Sequence, residues 1–307
     1  MKSLYKSFYT AIALAVILLA CSDDGDGVSE FPTSVELSYS VAGKQAAFTA
    51  LSHSVDSYTW DFGDGQTSTE KDPVHVYTSG GYYTVTVRVT GKSGTDEKTA
   101  QLAVDVTPYI LLTGGPTAAS GKTWKIDSSH PSGDKFAFAD DSFTSVQALS
   151  TGVFSSIGYP EAYDDSFTFY FDGKYTANAN GAPSSDGKAF GGYVNALFTG
   201  ASGVKAVDGV SDVYDLCTYN YTSDANATFT HIENEDFAVP SIAGVTYSDV
   251  STLSFTGGGY VGFLDAQTKV ILQSISDKSM RLVIFIAADP GKYPKASHAL
   301  VMTFKAV

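Results

Sequence analysis

Tyr58-Thr59-Trp60-Asp61-Phe62-Gly63-Asp64-Gly65, followed by His75-Val76-Tyr77-Thr78-Ser79-Gly80-Gly81-Tyr82-Tyr83-Thr84-Val85-Thr86-Val87-Arg88-Val89, decides how the first third of the chain is read. Tyr83, Val85, Val87 and Val89 fall on one side of an extended segment, and Thr84, Thr86 and Arg88 on the other. A period of two marks a half-buried strand. Trp60 is the large ring such a strand needs in its core. Asp61 to Gly65 reads as a tight turn, with glycines for positive φ and Asp side chains to cap it. Upstream, Val35, Leu37 and Tyr39 alternate, Ala42-Gly43 makes a turn, and Ala46, Phe48 and Ala50 alternate back. That is a hairpin signal.

These two motifs, at this spacing, resemble a PKD domain, and the resemblance runs over residues 33–106. It implies an immunoglobulin-like β-sandwich used as a spacer or interaction module. The Asp pair of the turn could hold Ca²⁺, but capping explains it without a metal.

The whole chain has 307 residues, with 33 acidic against 19 basic side chains and a formal charge of −14. It carries 19 Tyr and 19 Phe but two Trp, and 17% of its residues are charged, too aromatic and too weakly charged for a disordered polymer. The acidity excludes nucleic acid as a partner, because no basic patch exists to displace counterions from phosphates. Two cysteines exclude a disulfide scaffold and a four-cysteine zinc site. Asp greatly outnumbers Glu, which favours turns over helices.

Lys2 and Lys6 precede an apolar run over Ala11–Ala20 that ends in Leu18-Leu19-Ala20-Cys21. The run is shorter than the roughly 20 apolar residues of a spanning helix and reads as a secretory signal over residues 1–20. Cys21 after Leu-Leu-Ala resembles the lipobox of bacterial lipoproteins, which implies that its thiol is acylated and becomes the N-terminus. The acidic tether at 21–32, beginning Cys21-Ser22-Asp23-Asp24-Gly25-Asp26, resembles the surface-export signal of Bacteroidetes lipoproteins. Loss of the two lysines takes the charge from −14 to −16, so the acyl chains and not the body would hold the membrane.

Residues 107–114 read as a linker, and 115–307 as a second, larger all-β domain, a sandwich or jelly roll. Short strands recur between Gly, Asp, Asn and Ser clusters: Lys122–Ile126, Ser166–Phe171, Lys174–Ala177, Ala227–Ile232, Thr252–Phe255, Val270–Ile275, Met280–Ile286 and Ala299–Ala306. Asp172-Gly173 is a hairpin turn between two of them. The pieces Gly121-Lys122-Thr123-Trp124, Tyr163-Asp164-Asp165-Ser166-Phe167-Thr168-Phe169 and Ile271-Leu272-Gln273-Ser274-Ile275-Ser276-Asp277 resemble a β-sandwich domain found beside PKD modules. Its carriers are surface glycan-binding lipoproteins of Bacteroidetes polysaccharide-utilisation systems, the SusE/SusF type. The resemblance implies a non-catalytic polysaccharide binder at the outer membrane, working beside a SusCD-type importer and its surface lipoproteins, with β-glucan such as laminarin as one ligand class.

A pyranose offers an apolar C–H face and a rim of hydroxyls, so a sugar site needs an exposed aromatic platform beside amides or carboxylates. With so little Trp, tyrosines in irregular segments must serve. The candidates are Tyr159, Tyr163 and Tyr193, then Tyr219 and Tyr221, with Trp124 as a further ring that the strand pattern places in the core. For catalysis, the best carboxylate pair is Glu233 and Glu235, which share a face if the strand alternates regularly and which suit a glycoside hydrolase or lyase. The same segment also reads as a solvated strand end. Five scattered histidines, no Gly-x-Ser-x-Gly elbow and no metal-ligand loop of fixed spacing leave no other catalytic set, and neither a metal nor a cofactor is expected. An adhesive or structural lipoprotein without a sugar site is the third reading.

Overall fold

The computed structural model describes residues 31–179, 187–206, 216–222 and 224–307. Cys21, the signal segment and most of the tether lie outside the described residues.

The first domain holds β1 (Ser34–Ala42), β2 (Gln45–His53), β3 (Ser57–Asp61), β4 (Thr67–Ser68), β5 (Val74–Val76), β6 (Gly81–Gly91) and β7 (Gly94–Val104). They form two antiparallel sheets, ordered β1-β2-β5 and β4-β3-β6-β7. Between them lies a core of Trp60, Phe48, Phe62, Tyr77, Tyr83, Val85, Val87 and Leu102. The alternation along β6 puts Tyr83, Val85, Val87 and Val89 inward, as the sequence pattern requires. Trp60 is fully buried and its indole N–H donates to the Glu70 carbonyl at 2.8 Å. The Asp61–Gly65 turn is fixed from within. Asp61 accepts from the Gly63 amide at 2.8 Å and Asp64 from the Gln66 amide at 3.0 Å. The second oxygen of Asp64 lies 2.8 Å from His75 Nε2. Gly63 sits at φ 78°, and a Cβ there would lie 2.5 Å from the Thr84 carbonyl oxygen, so glycine is required.

The second domain begins with α1 (Pro108–Thr113) and continues through β8 (Lys122–Ile126), β9 (Lys135–Phe138), β10 (Ser145–Ala148), α2 (Val153–Ser156), β11 (Ser166–Phe169), β12 (Tyr175–Asn178), β13 (Lys188–Gly192) and α3 (Tyr193–Thr199). It is completed by β14 (Leu216–Asn220), β15 (Phe229–Ala238), β16 (Thr246–Phe255), β17 (Lys269–Ile275), β18 (Ser279–Ile286) and β19 (His298–Ala306). One antiparallel sheet runs β12-β11-β8-β19-β18-β17-β16-β15, with β9 pairing β19 and β10 pairing β9. The sheet rolls on itself until its end strands touch: the Tyr175 amide donates to the Ala227 carbonyl and the Phe229 amide to the Gly173 carbonyl, both at 3.0 Å. The rolled sheet gives two facing layers, the larger β-sandwich that the strand pattern predicts.

Inside the roll lies the main core, with Trp124, Phe167, Phe169, Tyr175, Leu253, Leu282, Ile284 and Phe304. A second core, with Phe237, Tyr247, Ile271, Val283, Phe285 and Val301, covers part of the outer face. The middle of β18 is therefore buried on both sides, which explains why Val283-Ile284-Phe285-Ile286 is apolar without alternation.

The segment 107–114 is not the free linker expected. It forms α1, capped by Thr107 and ended by Gly114 at φ 83°. Leu112 is fully buried, and its carbonyl accepts the Trp124 indole N–H at 2.9 Å. A helix of six residues is too short to show the apolar repeat by which helices are recognised.

Candidate functional site

The tyrosines and tryptophan expected to form a platform do not come together as one. Tyr159 and Trp124 have no exposed surface, and Tyr159 spends its hydroxyl on the Leu216 carbonyl at 2.9 Å. A ring without an open face cannot stack on a sugar, so both are core residues. Tyr163 is half-buried, and its hydroxyl lies 2.8 Å from His130 Nε2 while accepting from the Phe154 amide at 3.2 Å. The chain of contacts continues from His130 Nδ1 to Asp134 at 3.2 Å. Asp134 also accepts from the Thr303 amide at 2.9 Å and the Thr303 hydroxyl at 2.6 Å, and lies 3.3 Å from Arg281. This is a structural network linking β9, β18 and β19. Tyr193 opens α3, half-buried against Ala196, Cys217 and Tyr219. Tyr219 is buried and donates to the Leu264 carbonyl at 3.0 Å, and Tyr221 packs edge-on against Tyr260.

The combination a sugar needs occurs elsewhere, on the outer face of the roll. A groove of about 330 Å³ is lined by Phe143, Tyr247, Asn234, Asp249, Ser251 and Gln273, with Val250, Ile271, Leu272 and Val283 beneath. That size falls within the range of small-ligand sites. Phe143 and Tyr247 stack nearly flat, 4.8 Å between centroids and 11° between planes. Tyr247 is the buried lower ring, anchored by its hydroxyl to the Asp140 carbonyl at 2.7 Å. Burial and the nearby Asp140 and Asp141 carboxylates push its phenol up to about 12, so it stays protonated and keeps that bond. Phe143 is the partly buried upper ring, packed against the second core.

The loop that carries Phe143 is built by one side chain. Asp140 Oδ1 accepts from the Thr144 amide at 2.8 Å, the Ser142 amide at 3.2 Å and the Ser142 hydroxyl at 3.4 Å. These bonds, the Thr144 ones foremost, hold the Asp140 carboxyl below its ordinary range. The closed loop forces Phe143 to φ 50°, a conformation a bulky residue rarely adopts. Two further lining residues have positive φ, Asn234 at 54° and Asp249 at 56°, beside the irregularities of the β15–β16 pairing and of the types that adopt this conformation most readily after glycine. Among the described residues six non-glycine residues have positive φ, and three of them line this one groove. Backbone strain of this kind costs on the order of 1–3 kcal/mol per residue and clusters where a side chain must be presented in a set direction.

Asn234 sits at an irregularity of β15, where the register with β16 shifts between Ile232 and Glu235. Regular alternation therefore fails across Glu233-Asn234-Glu235. Glu235 pairs with Val250, accepts from the Thr252 hydroxyl at 2.6 Å and forms a close ion pair with Lys269. Lys269 and then Thr252 hold its carboxyl below the ordinary range. Glu233 is about half exposed, 4.0 Å from His231. Within the described residues, the side-chain amides of Asn234 and Gln273 make no hydrogen bond, so their capacity is open to a ligand.

Two other concavities are lined differently. One, lined by Phe136, Leu149, Val153, Phe154, Ile157 and Leu300, is almost wholly apolar. The other, between Pro116–Ala119 and the Tyr170–Lys174 hairpin, sets the partly buried Tyr170 and Phe171 rings beside Asp172 and Lys174, which hold each other at 2.8 Å, and has no side-chain amide in its lining. Among the described residues no group of three or more His, Cys, Asp or Glu is arranged to hold a metal ion.

The groove residues were legible only in part. Gln273 lies in a strand read from the sequence, and Asn234 lies inside the segment weighed as a carboxylate pair. Phe143 and Tyr247 carried no signal, because nothing in Asp140-Asp141-Ser142-Phe143-Thr144 shows that its ring meets a tyrosine 104 positions later.

Comparison with known proteins identifies the first domain. Residues 33–106 match the family described as the PKD domain, and this part of the chain is a PKD domain. The chain is 52% identical over 56 residues to the pre-pro-metalloprotease PrtV of Vibrio cholerae serotype O1, covering 18% of this chain and 6% of that protein. It is 55% identical over 42 residues to collagenase ColQ1 of Bacillus cereus, covering 14% of this chain and 4% of the collagenase. The chain thus spans only a small fraction of these relatives. The PKD1 domain of the Vibrio cholerae protease superimposes over all of its own length and 25% of this chain, with 34% identity and a TM-score of 0.24. A structure titled for carbohydrate-binding modules of the β-sandwich superfamily aligns over 91% of this chain and 93% of its own, at 13% identity and a TM-score of 0.26. That superposition is too loose to say anything about a ligand.

Proposed function

We propose that the chain is a non-catalytic, lipid-anchored polysaccharide-binding protein whose second domain holds a glycan in the Phe143–Tyr247 groove. The groove itself carries the reading: a supported, partly buried ring, unpaired amides from Asn234 and Gln273, and the Asp249 carboxylate meet on one surface. A sugar's apolar face would rest on Phe143, and its hydroxyls would take up the open donors and acceptors. Cys21 would anchor the protein at the outer membrane, the PKD domain would act as a spacer, and a neighbouring importer with its surface lipoproteins would receive the bound chain. Tethering raises the effective concentration of a weakly held polymer, so single contacts need not be strong.

Glycan binding is tested by native electrophoresis through gels containing laminarin, mixed-linkage glucan, xylan or mannan. Retardation by at least one glycan is expected, with no new reducing ends. Phe143→Ala should weaken retardation about tenfold or more, as loss of a central aromatic contact does. Phe198→Ala should not, although Phe198 is the more exposed ring at 56%. Retardation unaffected by Phe143→Ala would remove the groove from consideration. Release of reducing ends would favour a hydrolase. In that case Glu235, which Lys269 and Thr252 keep ionised, would not be the general acid, since a glycosidase acid must hold a proton near neutral pH.

A further inference from the structure

The one charged residue that lines the groove is acidic. Asp249 lines it, and its amide donates to Asp236 at 3.3 Å on the neighbouring strand. Asp140 and Asp141 stand close enough to Tyr247 to act on its hydroxyl electrostatically, and Glu233 is exposed beside Asn234. The nearest cations are spoken for. Lys269 is ion-paired to Glu235, with its ammonium 4.9 Å over the Phe237 ring. Arg281 is turned away to Asp134 and to the Ser132 carbonyl at 2.8 Å. Among the residues that line the groove there is no lysine or arginine.

Resting on the glycan-binding reading above, we infer that this groove selects uncharged polysaccharide and rejects chains bearing uronate or sulfate. Carboxylates or sulfate esters on the polymer would meet Asp249 on the lining, with Asp236, Asp140 and Asp141 adding to the same field from behind it and no cation on the lining to offset them, and like charges brought together across an interface are strongly disfavoured. Recognition of a neutral sugar by a ring and amides involves no ion pair, so it would be nearly independent of ionic strength.

The full chain is run through native gels containing neutral polymers (laminarin, mannan, xyloglucan) and anionic ones (alginate, polygalacturonate, a sulfated galactan), at low and high salt. The expected result is Phe143-dependent retardation by a neutral polymer, changing less than about twofold with salt. Anionic polymers should retard at least about tenfold less. Asp141→Lys should increase retardation by the anionic polymers while leaving the neutral one unchanged. An anionic polymer retarded as strongly as any neutral one, with the effect abolished by Phe143→Ala, would overturn this selectivity and leave the glycan groove standing. Retardation by no polymer, or retardation indifferent to Phe143→Ala, would overturn the groove reading and this inference with it.

Discussion

Phe143 shows how much one residue can depend on its surroundings. Its ring is worth having only because Tyr247 supports it from below and Asp140 closes the loop beneath it. Its backbone, at φ 50°, is held where a side chain is penalised. The two properties can be separated by substitution. Phe143→Ala loses the ring and keeps the strain, whereas Phe143→Gly loses the ring and relieves the strain. Glycine should therefore melt higher than alanine, by about 1 kcal/mol of stability in denaturant titration, although glycine is ordinarily the costlier residue. The reverse order would mean that the loop relaxes freely and does not hold Phe143 under strain. Neither variant should bind glycan. Tyr159 makes the opposite case. Its aromatic ring in an irregular segment looked like a binding residue, but it was drawn into the core by neighbours distant in sequence, and nothing local to it distinguishes the two fates.

Among the elements, Lys122–Ile126 and Val270–Ile275 were read from sequence to within a residue, because they are bounded by turn residues and consist largely of strand formers, whereas β15 and β16 each run six residues beyond the expected strand and β9, β10, β13 and β14 were not read at all. The short helices were not legible, and neither was the shift in β15. A slip of register is set by how two strands pair, and β15 alone does not show it. The junction of β9, β18 and β19 belongs to this scale too. Asp134 is buried there, which by itself would raise its carboxyl, yet the His130, Thr303 and Arg281 contacts outweigh burial and leave it below the ordinary range. Its folded pKa is thus lower than its unfolded one, and the stability it contributes is complete above the unfolded value of about 4 and is lost as pH falls through the folded value. Asp134→Asn should cost about 3 kcal/mol at pH 7, and its urea midpoint should fall less between about pH 4 and pH 2 than that of the parent. Equal pH slopes in the two proteins would show that Asp134 titrates normally.

For the whole molecule, the charge of −14 makes attraction of its body to an anionic membrane unfavourable and leaves attachment to the proposed acyl group on Cys21. If Cys21 is acylated as proposed, Cys21→Ser should abolish incorporation of labelled fatty acid into the protein. Absence of label from the parent protein, or equal labelling of parent and variant, would exclude the lipid anchor. The two-sided burial of β17 and β18 also bears on how this protein could change over generations. Ile271 and Val283, the floor of the groove, belong to a packed core, and most replacements there would destabilise the fold before altering any ligand contact. Asn234 and Asp249 stand at strained, solvent-exposed positions, and Phe143 on a loop that one aspartate closes. Descendants of this chain could thus change what the groove accepts by altering the rim alone, while the rolled sheet beneath stays as it is.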